Sequence, residues 1–87
     1  LMDIMESTNE NVLEDLITRH HIQTIYQFLR SALTPREQTV IIMRYGLYQR
    51  SPVTQRDVAA RMGISRSYVS RIEKRALEKL RSCLETM

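Results

Sequence analysis

Four hydrogen-bonding side chains lie close together near the end of the sequence: Arg66, Ser67, Ser70 and Arg71. On a helix they share one side, opposite the apolar residues of the same segment, and this side carries almost no negative charge. Arginine donates a pair of hydrogen bonds to guanine, and serine bonds to several base edges. The face therefore suits the major groove of DNA, and a solvated helix surface is the alternative interpretation.

Two helices joined by a tight turn are predicted to position this face, over residues 55–62 and 66–84. Gly63 lies where a helix end needs a left-handed residue, Ser65 is a good N-cap, and Ala59 is small enough for a close helix crossing. Apolar side chains converge on one small core: Val58, Met62, Ile64, Val69 and Ile72. The pattern indicates a DNA-binding helix-turn-helix, although an ordinary helical hairpin shares some of these features.

Two further helices are predicted before the helix-turn-helix. Apolar residues repeat with a helical period over residues 11–32, which predicts one long amphipathic helix. Thr34, Pro35 and Glu37 supply an N-cap, a first-turn proline and a capping-box partner, so the next helix is expected over residues 35–45, where Gly46 stops it. Thr54 is expected to cap the first helix of the helix-turn-helix. No strand pattern of useful length is present. The expected fold class is all-α: a small four-helix domain with a C-terminal helix-turn-helix, unrelated to winged helices.

Length and composition restrict the class of protein. A chain of 87 residues forms one small domain without room for a large enzyme cleft. Its single cysteine, Cys83, excludes an internal disulfide framework, and no apolar stretch is long enough to span a bilayer. We expect a cytoplasmic, nucleoid-associated protein without membrane contact. The start at Leu1 rather than methionine indicates an excised part of a longer protein.

The sequence lacks the residue patterns of an enzyme or a metal site. His20 and His21 are adjacent, so on a helix they point about 100° apart and do not chelate one metal as an i, i+4 pair does. The sequence has no cluster of nucleophile, base and orienting group, no glycine-rich phosphate loop and no Cys/His ligand set. We therefore expect no enzymatic activity, no metal and no cofactor.

Charge is distributed unevenly along the chain. The net charge of +3 combines −3 over residues 1–35 with +6 over residues 36–87. A basic segment that also holds the helix-turn-helix is expected where a protein meets phosphate. A solvated helix surface is the alternative that charge alone leaves open.

The segments LTPREQTVIIMRYGL and TQRDVAARMGISRSYVSRIEKRALEKLR closely resemble region 4, the C-terminal domain of bacterial RNA polymerase sigma factors of the sigma-70 family. Within that family, SRSYVSRIEKRAL is most similar to the sporulation sigma factors of the mother cell, the sigma-K type first and the sigma-E type second. The resemblance implies that residues 1–9 are the end of the linker that precedes region 4, and that residues 10–87 form the region 4 domain.

This resemblance implies a promoter-recognition module whose last helix enters the major groove of the minus-thirty-five element. By motif position, Arg66, Ser67 and Arg71 would read bases, with Ser70 on the same face. A second set would contact the DNA backbone: Arg36, Arg44, Thr54, Gln55, Arg56 and Tyr68. The family also docks on the flap tip of the polymerase beta subunit, which is held in an apolar groove between the first helices. The groove residues here would come from one set, some of which must instead be internal core: Ile25, Phe28, Leu29, Leu33, Val40 and Ile41. An anti-sigma factor or an activator would be a further partner.

Two positions depart from the housekeeping members of the family. Those members have Glu where this chain has Ser67, and Gln where it has Arg71. Because glutamate accepts from cytosine and arginine donates to guanine, the exchange changes which bases are read while the docking of the helix stays the same.

Two other functions are compatible with the same residues. One is a stand-alone helix-turn-helix regulator that dimerises through its first helix, which palindromic DNA sites would favour. The other is a protein-interaction domain held by an anti-sigma factor, which binding with little dependence on salt would favour.

Overall fold

The computed structural model describes residues 13–18 and 20–86. These residues form helices α1 (residues 13–18), α2 (Ile22–Ala32), α3 (Pro35–Tyr45), α4 (Gln55–Met62) and α5 (Arg66–Glu85), and they contain no strand. The predicted all-α class is confirmed. Helix α5 packs against α2, α3 and α4, so the C-terminal helix is the central element of the domain.

The predicted long N-terminal helix is two helices instead of one. The chain leaves the helical conformation around His20, and His21 is extended (φ −66°, ψ 137°) as the N-cap of α2. The apolar period continues across this break because α1 and α2 bury their apolar sides in the same core, for instance at Leu16 and Ile25. Periodicity alone therefore conceals the break. The predicted start of the helix at residue 11 and the linker over residues 1–9 lie outside the described residues.

The start and end of α3 follow the predicted signals. Thr34 Oγ1 accepts from the Glu37 N–H at 3.2 Å, and Glu37 Oε1 accepts from the Thr34 N–H at 3.0 Å, which completes the capping box. Gly46 ends the helix in the left-handed conformation (φ 62°), and the next N–H, of Leu47, donates to the carbonyl of Ile42 at 3.1 Å. The α3 boundaries are those expected from sequence.

The helix-turn-helix also has its predicted caps. Thr54 Oγ1 accepts from the Asp57 N–H at 3.1 Å at the start of α4, and Gly63 ends α4 with φ 69°. Ser65 Oγ accepts from the Tyr68 N–H at 3.1 Å and so begins α5. The turn between the two helices therefore has only three residues, Gly63 to Ser65, which fixes the start of α5 close to the end of α4.

The buried apolar side chains form two clusters. The larger cluster joins the N-terminal helices to α3 and to the C-terminal half of α5: Leu13, Leu16, Ile25, Leu29, Leu33, Ile41, Leu47, Ala76, Leu77, Leu80 and Leu84. The smaller cluster is the predicted core of the helix-turn-helix, with Val58, Ala59, Val69 and Ile72, and it gains Val40 from α3. Helix α3 thus packs against the helix-turn-helix through Val40.

Within residues 13–18 and 20–86, no helix combines the length and the apolar character needed to cross a membrane. The same part of the chain contains no group of three or more side chains that could ligate a metal ion.

Candidate nucleic-acid interface

The first turns of α5 present an open row of hydrogen-bond donors. Ser67 and Arg71 are exposed, while Arg66 and Ser70 are half-buried. The first turn contains no acidic residue, and the N-terminal end of a helix carries a partial positive charge. All four predicted base-reading residues therefore lie at the same end of one helix, and Ser67 and Arg71 are the two that are open to solvent.

Arg36 and Tyr68 join the start of α3 to this face. Arg36 Nη1 donates to the Tyr68 hydroxyl at 3.1 Å, and its guanidinium lies 5.6 Å from the centre of the tyrosine ring. The Arg71 guanidinium lies 6.0 Å from the same ring. Two of the predicted DNA-backbone residues and one predicted base reader thus occur as a single exposed group.

The start of α4 provides a second basic surface. Thr54 and Arg56 are exposed there, as backbone contacts require, although the Thr54 hydroxyl already caps the helix. An open cleft of about 500 Å³ beside Thr54 is also lined by Arg50 and Arg61, with Asp57 as its acidic residue. Arg50 reaches this cleft only because the loop after α3 folds back beside α4, whereas Arg61 belongs to α4 itself.

Arg44 does not belong to this surface, which corrects its predicted role as a phosphate contact. Its side chain is only 3% exposed. Its Nε donates to Glu73 Oε1 at 3.0 Å, and its Nη1 donates to the carbonyl oxygen of Val53 at 2.8 Å. An arginine that is buried and satisfied in this way connects helices and offers no free charge to DNA.

The predicted role of Gln55 as a DNA-backbone contact is wrong for the same reason. It is 3% exposed, and its Nε2 donates to Glu73 Oε1 at 2.9 Å. The Tyr45 hydroxyl donates to the other carboxylate oxygen of Glu73. We call Arg44, Tyr45, Gln55 and Glu73 the buried polar network, and it connects α3, α4 and α5 at one point.

Glu73, the centre of this network, is not among the residues that the sequence motifs mark. It is fully buried. The signal was available in the spacing, because residue 73 lies four positions after Val69 and three before Ala76, both buried. A charged residue on an apolar stripe predicts a buried partner, and that partner is Arg44.

Lys79 pairs with Glu37 across α3 and α5, with Nζ 2.8 Å from Oε1. The pKa of Glu37 is lowered from its usual value. Burial alone would raise it, but the hydrogen bonds from Lys79 and from the Thr34 backbone, together with the lysine charge, outweigh the burial. The pair therefore joins the α3 cap to α5 and neutralises a carboxylate close to the basic face.

The predicted apolar groove is mostly closed. Ile25, Leu29, Leu33, Val40 and Ile41 are buried, and four of these five have no exposed surface. This corrects their predicted role, because side chains inside the core cannot contact the polymerase directly. Phe28 is half-buried and stays accessible, as do the other apolar side chains packed on the same core: Ile17, Ile22, Tyr26, Ile42 and Tyr45.

A tyrosine pair extends the apolar surface on α2. The rings of Tyr26 and Tyr48 stack with centroids 4.4 Å apart, and the Tyr48 N–H donates to the Tyr26 hydroxyl at 3.3 Å. Tyr48 lies in a left-handed turn (φ 58°) and is 41% exposed. An aromatic surface therefore faces solvent on a part of the molecule distinct from the start of α5.

Residues 31–82 match the protein family described as Sigma-70, region 4. The chain belongs to this family. The matched range includes α3, α4 and nearly all of α5, so it contains the buried polar network as well as the exposed basic face of this region 4 domain.

The relatives of this region 4 domain include a sigma-K factor and a sigma-E factor. It is 44% identical to the RNA polymerase sigma-K factor of Bacillus subtilis over 80 residues, and this aligned segment makes up 92% of the chain and 27% of that protein. It is 36% identical over 87 residues to the sigma-E factor of Clostridium acetobutylicum, which covers 100% of the chain and 37% of that protein. The predicted resemblance to these types is confirmed. No solved structure matches the chain.

A third relative is the sigma-28 factor of Bacillus thuringiensis subsp. kurstaki, at 44% identity over 80 residues, or 33% of that protein. The chain thus spans between 27% and 37% of the length of these three relatives.

Proposed function

We propose that this region 4 domain recognises promoter DNA by placing the start of α5 in the major groove of the minus-thirty-five element, as part of an RNA polymerase holoenzyme. The observation that supports this role is the exposed donor face of Ser67 and Arg71 on a first turn without acidic residues. Such a face complements base edges in an acidic groove. A role of this kind would place the domain in the cytoplasm, on the nucleoid.

The base-reading set of this proposal is Arg66, Ser67, Ser70 and Arg71. Arg71 donates to guanine, and Ser67 is a short, neutral group that tolerates more than one base edge. The four residues follow one another along a single helix face, so they would read neighbouring base pairs in one groove.

The backbone set of the proposal differs in two members from the set that the sequence suggested. It keeps Arg36, Thr54, Arg56 and Tyr68, which are exposed. It loses Arg44 and Gln55 to the buried polar network and gains Arg50 and Arg61 beside the start of α4. Because the two ends of this set flank α5, the backbone contacts would hold the helix in its groove from both sides.

We further propose that the flap of the polymerase beta subunit docks on the accessible apolar side chains around α2. Phe28 is the one residue of the predicted groove that stays half exposed, and Tyr26 with Tyr48 continues this surface. A partner helix with an apolar face would cover these rings. Anti-sigma factors and activators would be competitors or additional partners there or on the basic half.

An NMR titration of the labelled chain tests both parts of this proposal. A promoter duplex should shift amide signals of residues 66–71 and of the start of α4, and these shifts should decrease with rising salt because phosphate contacts release counterions. A peptide of the flap-tip helix should instead shift signals around Phe28 and Tyr48. Duplex-induced shifts confined to α2, or DNA binding insensitive to salt, would contradict the DNA-binding role.

A further inference from the structure

Tyr68 lies where the first turn of α5 meets the start of α3. Its N–H donates to the Ser65 N-cap at 3.1 Å, so the position of its backbone is fixed by the same bond that begins the helix. Its side chain is 38% exposed. Tyr68 therefore projects from a rigid helix start onto the surface proposed to meet DNA.

Two guanidinium groups from different helices gather around this ring. Arg36 from α3 donates to the Tyr68 hydroxyl, and its carbon Cζ lies 5.6 Å from the ring centre, while Cζ of Arg71 from α5 lies 6.0 Å away. The negative face of an aromatic ring attracts cations within about 6 Å. Tyr68 thereby favours the close placement of two like charges that would otherwise repel one another.

Both arginines keep their charge available for an external anion. Neither forms an ion pair with any residue in the described ranges. Glu37 is the acidic residue beside them in a shared cleft of about 230 Å³, and its carboxylate is already bonded to Lys79 and to the Thr34 N–H. The charges of Arg36 and Arg71 in this cleft are therefore not neutralised by Glu37, and both guanidinium groups lie against the uncharged side chain of Tyr68.

We propose that Tyr68 is a positioning residue for DNA recognition. Its hydroxyl orients Arg36 toward a phosphate of the DNA backbone, and its ring restricts Arg71 to conformations that reach a base edge. One residue thus sets the distance between a phosphate contact made by α3 and a base contact made by α5. This inference rests on the proposed function, and it replaces a direct phosphate contact by Tyr68 with an action through its two neighbours.

Two substitutions separate the hydroxyl from the ring. Tyr68→Phe keeps the ring and removes the bond to Arg36, so it should weaken binding to a selected duplex and to a scrambled duplex alike, by about two- to fivefold. Tyr68→Leu removes both features and should in addition lower the preference for the selected duplex by about two- to fivefold. The affinities are measured by NMR titration, with the selected duplex obtained from a random library by the unmodified chain.

A double-mutant cycle with Arg36→Ala decides whether Tyr68 acts through Arg36. In the Arg36→Ala background, Tyr68→Phe should cause no further loss of affinity. If Tyr68→Phe weakens binding equally in both backgrounds, the hydroxyl contacts DNA directly and the positioning role is contradicted. The role is also contradicted if Tyr68→Leu leaves the preference between the two duplexes unchanged.

Arg30→Ala is the matched control for Arg36→Ala, because Arg30 is also an exposed arginine but lies on α2 and does not line the basic cleft. It should leave both affinities unchanged. If Arg36→Ala and Arg71→Ala also leave DNA binding unchanged, the proposed function itself fails. If those two substitutions weaken binding while the Tyr68 variants do not, only the positioning role fails.

Discussion

Arg36 and Arg44 lie on the same helix, carry the same charge and matched family positions assigned to DNA contact, yet their surroundings are opposite. Arg36 is exposed and bonded to an uncharged tyrosine. Arg44 is 3% exposed and bonded to a buried carboxylate. Their partners, Tyr68 and Glu73, both belong to α5 and lie five residues apart, which places them on nearly opposite sides of that helix.

The comparison shows that the partner on α5 determines what each arginine can do. Glu73 neutralises Arg44 and holds it in the interior, where it stabilises the junction of three helices. Tyr68 orients Arg36 without neutralising it, so the charge stays available at the surface. Helix α5 therefore attaches α3 through one side and presents the α3 arginine to solvent through the other.

The largest expected difference between the two arginines is in the free energy of unfolding. Arg44→Met leaves the buried carboxylate of Glu73 without its cation and should reduce the free energy of unfolding by about 3–5 kcal/mol. Arg36→Ala removes an exposed side chain and should change it by less than about 0.5 kcal/mol. Urea unfolding followed by circular dichroism measures both values.

The double variant Arg44→Met with Glu73→Leu is the control for this experiment. Since it removes both charges and fills the site with apolar groups, it should recover most of the stability lost by Arg44→Met alone. If Arg44→Met reduces the free energy of unfolding by less than about 1 kcal/mol, the buried carboxylate of Glu73 does not depend on Arg44. The two arginines would then have similar effects on stability.

A smaller effect is expected for Arg71 on the exposed side of the comparison. Arg71→Ala should reduce the affinity for the selected duplex by about 1–3 kcal/mol and the affinity for a scrambled duplex much less, because a base contact is lost. The ratio of the two affinities is the decisive measurement. An equal loss on both duplexes would make Arg71 a backbone contact.

Arg36 should behave in the opposite way to Arg71. Arg36→Ala should weaken binding to both duplexes alike and lower the slope of log affinity against log salt by about one unit, as expected when one phosphate contact is lost. The control is Arg30→Ala, an exposed arginine on α2, which should leave the slope unchanged. A change in the affinity ratio with Arg36→Ala would show that Arg36 reads bases.

The smallest expected effect concerns the Glu37–Lys79 pair, which lies between the two environments. Because the pKa of Glu37 is lowered in the folded protein, its stabilising contribution is present above the pKa of the unfolded chain and is lost as pH falls through the lowered value. Glu37→Gln should remove this dependence between neutral pH and about pH 3.

Lys79 is 38% exposed, so solvent screening should keep the contribution of the pair below about 1 kcal/mol. The difference in unfolding free energy between wild type and Glu37→Gln, measured across that pH range, gives its size. A difference that grows as pH falls would contradict the sign.

Local signals in the sequence predicted most of the fold. The capping box of Thr34 and Glu37 and the left-handed glycines at positions 46 and 63 act within a few residues, so the boundaries of α3 and α4 could be derived without tertiary information. The break at His21 could not, because α1 and α2 face one core and keep one apolar period across it. A change of helix direction leaves no mark on such a period.

The candidate site was predictable only in part, for a related reason. The face of Ser67 and Arg71 follows from helical geometry, since its residues are neighbours along the chain. The burial of Arg44 depends on Glu73, 29 residues away, and the orientation of Arg36 depends on Tyr68, 32 residues away. Matching family positions assigned one role to both arginines because a motif records residue types and not their partners.

The two left-handed glycines, Gly46 after α3 and Gly63 between α4 and α5, differ in the space that a side chain would have. A Cβ at Gly63 would meet no atom within 4 Å, so asparagine there would carry only the backbone cost of about 1 kcal/mol. A Cβ at Gly46 would lie 2.4 Å from the Arg50 carbonyl oxygen and 2.9 Å from Pro52 N. The loop that would have to move supplies the Val53 carbonyl that holds Arg44. Position 63 can therefore accept another residue, whereas any side chain at position 46 would displace this loop and weaken the hydrogen bond between Arg44 and Val53.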